Sequence, residues 1–161
     1  MSTVSPQNAD REQLAEAVEL ARLAREHGNH PFGALVVTSD GRVVRAENTV
    51  VTTGDPTGHA ETNLVRLAAA ELSPAELATS VLYTSTEPCA MCSGAIFWAG
   101  IGTVVFALGG DELIELLPAG SAEFSLGMPS RDVFARGGHP TSVRGPYDVP
   151  GAREVHSGFW D

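Results

Sequence analysis

Three side chains with affinity for a borderline-soft divalent metal, His59, Cys89 and Cys92, stand in two short segments, His59-Ala60-Glu61 and Pro88-Cys89-Ala90-Met91-Cys92. A structural zinc site is closed by four protein ligands, whereas a catalytic one uses three and keeps its fourth position for water. The count here stops at three. Glu61, two residues after the histidine, is the natural group to take a proton from that water. The pattern is that of a hydrolytic zinc enzyme with Zn2+ as its cofactor. A C-x-x-C pair can also be a redox couple or two buried thiols, and His59-x-Glu61 upstream is what argues for a metal.

Two helix starts have to bring these segments together. His59 to Leu72 reads as a helix entered from the polar loop Thr49 to Gly58, which places His59 and Glu61 on its first turn. Pro88 at a first helical position opens a second helix through Ala99, so Cys89 and Cys92 share one face, and the N-terminal dipole favours their thiolates. Upstream, Asp10 is expected to cap a helix running to His27. Leu14, Ala17, Val18, Ala21 and Ala24 form its apolar face, and Gly28 is its stop.

Ala34 to Val37 and Val43 to Ala46 read as antiparallel strands around the turn Ser39-Asp40-Gly41. Ser73-Pro74 breaks the second helix, and Val81 to Thr84 and Thr103 to Leu108 are further strands. Strands alternating with helices imply an α/β fold in three layers, with right-handed crossovers in a mostly parallel sheet. Asp111 to Leu117 and Arg131 to Arg136 read as short helices. The tail from Gly145 is loop-like but ends in Phe159-Trp160, an aromatic pair that must pack on something.

The chain has 161 residues, enough for one domain with a single core and too few for two ordinary ones. The expected division is a core from about residue 10 to 108 and an extension from 109 to 161. Ten Lys plus Arg against twenty Asp plus Glu give a formal charge of −10, which disfavours nucleic-acid binding. The start from Met1 to Arg11 is polar, without the basic and apolar run of a signal peptide, and no apolar stretch reaches the length of a membrane span. A soluble, cytoplasmic protein without membrane contact is the expectation.

With order, spacing and local structure taken together, these segments resemble the zinc-dependent cytidine and deoxycytidylate deaminase superfamily, whose signature is H-x-E followed by P-C-x-x-C. Pro31-Phe32-Gly33-Ala34, Asn48, Asp55-Pro56-Thr57 and Tyr83-Thr84-Ser85-Thr86-Glu87-Pro88-Cys89 look most like bacterial guanine deaminases. The resemblance covers roughly Arg11 to Ala107. It implies a three-layer α/β/α fold on a five-stranded mixed sheet, zinc on His59, Cys89 and Cys92, and Glu61 as proton shuttle. It also implies that Asn48 binds the substrate ring and that the N–H groups of Ala60 and Cys89 orient water or a substrate carbonyl. Phe32 and Trp98 are candidates for stacking on a planar base.

The implied reaction is deamination of a free nucleobase, guanine to xanthine first. Cytosine, an amino-triazine, a pterin or a nucleoside such as guanosine are the alternatives. Transfer-RNA adenosine deamination and a noncatalytic zinc or redox module are the competing classes. Family members are commonly dimers, so a homodimer is expected. Guanine deaminases read the purine with an acid beyond the last core strand, where this chain has Gly120; Asp111, Glu112, Glu115 and Glu123 are the nearby acids. Their C-terminal segment closes the pocket, a part Phe159-Trp160 could play here. The four histidines outside the motif, His27, His30, His139 and His156, read as surface or loop residues, and none is given to zinc.

Overall fold

The computed structural model describes residues 5–161, so Met1 to Val4, the beginning of the polar start, lie outside the described residues. The elements run α1 (Pro6–Glu26), β1 (Gly33–Val37), β2 (Val43–Glu47), α2 (Val50–Thr53), α3 (Ala60–Glu71), α4 (Pro74–Ala78), β3 (Val81–Thr86), α5 (Ala90–Ala99), β4 (Thr103–Leu108), α6 (Gly110–Leu116), α7 (Ser130–Phe134) and β5 (Ser142–Arg144). Single 3-10 turns lie at Ser121–Phe124 and Glu154–His156.

The sheet has the order β2-β1-β3-β4-β5. The expectation of a mostly parallel sheet is corrected: β1 is antiparallel to both β2 and β3, while β3, β4 and β5 are parallel, so the sheet is mixed and five-stranded. The hairpin turns β2 back along one edge of β1. The chain then crosses through α3 and lands β3 on the other side of β1, parallel to β2 but against β1.

Helix α1 covers one face of the sheet, and α3 and α5 cover the other, with α7 packed on α5. Two apolar layers fill the gaps. Leu14, Ala17 and Val18 meet Leu35, Tyr83 and Val105 on the α1 side, joined by Val149 and Ala152 from the tail. Leu64, Ala68 and Ile96 meet Val36, Leu82 and Val104 on the other side, joined by Phe134. Each fully buried Leu, Ile or Val contributes about 1.5–3 kcal/mol. The contact between α1 and β1 depends on Gly33, where a Cβ would stand 2.5 Å from both Ala21 N and Leu20 Cβ.

Several boundaries differ from the sequence expectation for physical reasons. Ser5 caps α1, accepting from the Asn8 N–H, and Pro6 starts it, so Asp10 is not a cap but a buried residue in the second turn. Ser73-Pro74 ends α3 and also begins α4, because Ser73 and Glu76 form a reciprocal capping box. The polar run after Thr49 holds one helical turn, α2, closed by Gly54 at φ 67°. Helix α5 begins at Ala90, two residues beyond Pro88, with Cys89 as its cap.

Candidate metal centre

Both metal-binding segments sit at helix N-termini that face each other. His59 is the N-cap of α3, Cys89 is the N-cap of α5, and Cys92 lies in the first turn of α5. His59 Nδ1 stands 3.6 Å from Cys89 Sγ and 3.5 Å from Cys92 Sγ. A tetrahedral zinc ion with Zn–S of about 2.3 Å and Zn–N of about 2.0–2.1 Å has N···S edges of about 3.6 Å. The three donors therefore fit the ion, and three donors leave one position open. They are the one cluster of three or more metal-binding side chains among the described residues.

The electrostatics suit a cation. The Cys92 thiol holds the Cys89 sulfur as a thiolate, pushing its pKa down to about 4; burial opposes this, and His59 and the Cys92 N–H support it. Cys92 is pushed up by the same bond and by burial. His59 is raised, chiefly by its bond to Cys89. A dication would relieve the whole cluster by replacing the shared protons.

Glu61, on the first turn of α3, is buried at 5% exposure. Burial, then the Cys89 charge, raises its pKa, against bonds from its own N–H and from Thr84. Thr84 Oγ1 lies 3.0 Å from Glu61 Oε1. Ala60 is fully buried, and its N–H, the first of α3, is among the four that no intrahelical carbonyl can take. Asn48, 1% exposed, uses Oδ1 to accept from the Val50 N–H at 3.1 Å, and its Nδ2 has no partner among the described residues.

Other residues, to which the zinc signature gives no role, hold these parts together. Asn63 Nδ2 donates to Glu47 O and Thr49 Oγ1, both at 2.9 Å, tying the polar loop to α3. Glu87 accepts from the Gly110 N–H at 3.0 Å, the Ser130 N–H at 2.9 Å and the Ser130 hydroxyl at 2.7 Å. That carboxylate anchors the approach to Cys89 on α6 and α7.

The structure separates the two aromatic candidates. Phe32 is half-buried beside Asn48, whose N–H bonds the Phe32 carbonyl at 3.1 Å, and its ring meets His156 and Trp160. Trp98 is 86% exposed on the outside of α5, touching Phe97, so its expected place in the pocket is corrected.

The histidines also divide. His27 pairs with Glu47, and His139 stacks on Phe97. His156, read as a surface or loop residue, is 3% exposed. Its Nδ1 accepts from Trp160 Nε1, and Trp160 and Phe159 both pack on His30. The tail thus lies over Phe32 and His30 and lines a cavity of about 330 Å³ with Leu116, Arg153, His156 and Trp160.

Gly120 begins a turn at φ 88°. Of the acids near it, Glu112 caps α6 and, with Glu115, faces Arg153. Asp111 accepts from the Glu112 N–H, and Glu123 is exposed.

Comparison with known proteins agrees with this geometry. The model of the cytidine and deoxycytidylate deaminase zinc-binding region matches residues 7–108. A probable cytosine deaminase of Schizosaccharomyces pombe is 42% identical over 161 residues, covering 100% of this chain and 98% of that protein. The guanine deaminase of Bacillus subtilis is 44% identical over 77 residues, covering 48% of this chain and 49% of that protein. Its X-ray structure superposes with a TM-score of 0.62 at 34% identity, covering 80% of this chain and 81% of that one. A structure from work on tRNA:A34 deaminases has a TM-score of 0.62 at 28% identity, covering 83% and 95%.

Proposed function

The chain belongs to the cytidine and deoxycytidylate deaminase family, and from that membership we propose that it hydrolyses the exocyclic amine of a free nucleobase, releasing ammonia and leaving a carbonyl. The observation that carries this reading is the open three-donor centre with a buried carboxylate, Glu61, on the same first turn as the histidine ligand.

A zinc ion held by His59, Cys89 and Cys92 would supply Lewis acidity that makes water nucleophilic near neutral pH. Glu61 handles the protons. It accepts one from the attacking water and gives it to the ring nitrogen beside the amine-bearing carbon. It then carries the second water proton to the departing nitrogen as the C–N bond breaks. A carboxylate whose pKa is raised by burial is suited to give the proton back as well as to take it. Asn48 Nδ2 and the Ala60 N–H would hold acceptors of the base, and Phe32 would form a wall of its pocket.

Cytosine is our first substrate and guanine the second. The motifs alone put guanine first. The likeness to a probable cytosine deaminase, however, runs through the C-terminal tail, which packs on Phe32, while the sequence likeness to a guanine deaminase covers 48% of the chain. Transfer RNA is disfavoured by the −10 charge. Of the basic residues after Cys92, Arg131, Arg144 and Arg153 are already engaged with Gly145 O, Asp10 and the α6 acids. We read the whole chain, tail included, as one catalytic domain.

The test is ammonia release from zinc-loaded protein with cytosine, guanine, cytidine, guanosine, adenine and an amino-triazine, beside a Glu61→Ala control. Turnover of one base, abolished in the control, supports the assignment. Zinc-loaded protein silent across the panel refutes it.

A further inference from the structure

The shuttle carboxylate has one side-chain hydrogen-bond partner among the described residues, and that partner is a hydroxyl with two calls on its single proton. Thr84 Oγ1 stands 3.0 Å from Glu61 Oε1 and 3.0 Å from the Thr86 carbonyl. Its backbone is fixed from both sides, paired to Ala34 on β1 and Phe106 on β4 in the middle of the sheet. At 1% exposure no bulk water can replace it. Its β-branched side chain is stiff at χ1, so the oxygen has a defined place.

We infer that Thr84 is a positioning residue for the deamination, its hydroxyl holding Glu61 Oε1 in one place beside the metal centre. The inference rests on the reading of Glu61 as the shuttle. A hydroxyl offers one proton and two lone pairs. While Glu61 is ionised, Thr84 donates to Oε1, because the bond to a charged acceptor is the stronger of the two available. A valine could not make this bond, and a serine could make it with a looser rotamer.

The experiment compares Thr84→Val and Thr84→Ser with the wild-type full-length chain, each loaded with zinc. With the best base from the panel, Thr84→Val lowers kcat by about tenfold to a hundredfold, as misplacement of a reacting group does. Its KM stays within about threefold and its zinc content is unchanged, because the hydroxyl touches neither base nor ligands. Thr84→Ser keeps kcat within about threefold of wild type, which a purely structural role for the methyl group would not predict. A Thr84→Val enzyme with wild-type kcat overturns the inference. Crystal structures of the same proteins decide it without turnover. Glu61 should lose its single orientation in Thr84→Val, and an unmoved, ordered Glu61 overturns the inference even if no base is deaminated. If valine prevents folding, Thr84→Ala removes the same hydroxyl and is read the same way. A wild-type protein inactive on every base refutes the proposed function, while the crystallographic result still stands for or against Thr84.

Discussion

Replacing Asp10 with asparagine should destabilise the protein by about 3 kcal/mol, the low end of the cost of breaking a buried pair. Four donors converge on this carboxylate. Arg144 Nε and Nη2 donate at 2.8 Å each, the Tyr147 hydroxyl at 3.0 Å and the Tyr83 hydroxyl at 3.1 Å. The cluster joins α1 to β3, to β5 and to the start of the tail. Asparagine keeps the shape but offers one oxygen and turns an NH2 group toward groups that are themselves donors. Tyr83, 6% exposed, is then left with an unmet hydroxyl.

Removing one partner of a buried pair costs about 3–5 kcal/mol. The lower figure applies because the Arg144 side chain is 42% exposed and recovers some hydration. With an unfolding entropy of about 2.1 cal/mol/K per residue over 161 residues, 3 kcal/mol lowers Tm by about 9 °C. Calorimetry at pH 7 measures it.

The pH dependence provides a second check. Burial alone would raise the Asp10 pKa, but Arg144, Tyr147 and Tyr83 outweigh it and hold the carboxyl below its usual range. The stabilisation is therefore full above the unfolded value, about 3.9, and is lost as pH falls through the lower folded value. Wild type and variant should converge in acid. A loss below about 1 kcal/mol at pH 7, the worth of one ordinary hydrogen bond, would refute the reasoning.

Chelation should lower Tm, because zinc at about 1,000 times its Kd adds about 4 kcal/mol to the folded state; Cys92→Ser should abolish that difference and fail to retain one zinc per chain by elemental analysis. His156 has its pKa pushed down to about 4 by burial, with the Arg25 charge adding to it. Its contribution is full above an unfolded pKa of about 6.5 and falls by up to about 3 kcal/mol as pH drops toward 4; urea titrations should show this slope in wild type and not in His156→Phe. Gly33→Ala should cost about 3 kcal/mol or more in urea unfolding, since the new methyl meets backbone atoms of α1 at 2.5–2.6 Å that cannot swing aside. Trp98→Ala should leave KM for the best base unchanged, because the side chain is 86% exposed; a raised KM would return it to the pocket.

How far the sequence discloses the structure depends on how far apart the interacting residues are. The strands around Leu35, Leu82 and Val105 and the apolar face of α1 repeat at short periods, so they can be read directly. The metal ligands announce themselves by type. Asp10 does not, because its partner Arg144 is 134 residues away, and in the sequence it looks like a helix cap. Thr84 and Glu87 bond residues 23 to 43 positions distant, and a threonine in a β-rich run carries no signal of its own. Trp98 was misplaced because Ala90–Ala99 is apolar on every side, leaving periodicity nothing with which to orient the helix. Strand β5 is three residues long and half-exposed, too short for any pattern.

The charge of the centre also bears on what it can accept. The largest charge effects on Glu61 come from Cys89 and His59, and those on Cys92 from Glu61 and Cys89. With a dication bound, two thiolates balance it and the shuttle carboxylate leaves the centre neutral to negative. A phosphate brought to such a site would meet repulsion at short range in a medium of low dielectric. An uncharged base would need only acceptors for Asn48 and the Ala60 N–H and a flat face for Phe32. The basic side chains of the C-terminal third reinforce the point, since three of them are spent within the protein on a carbonyl and on carboxylates. We therefore read the part of the substrate that reaches this centre as a neutral amine-bearing ring.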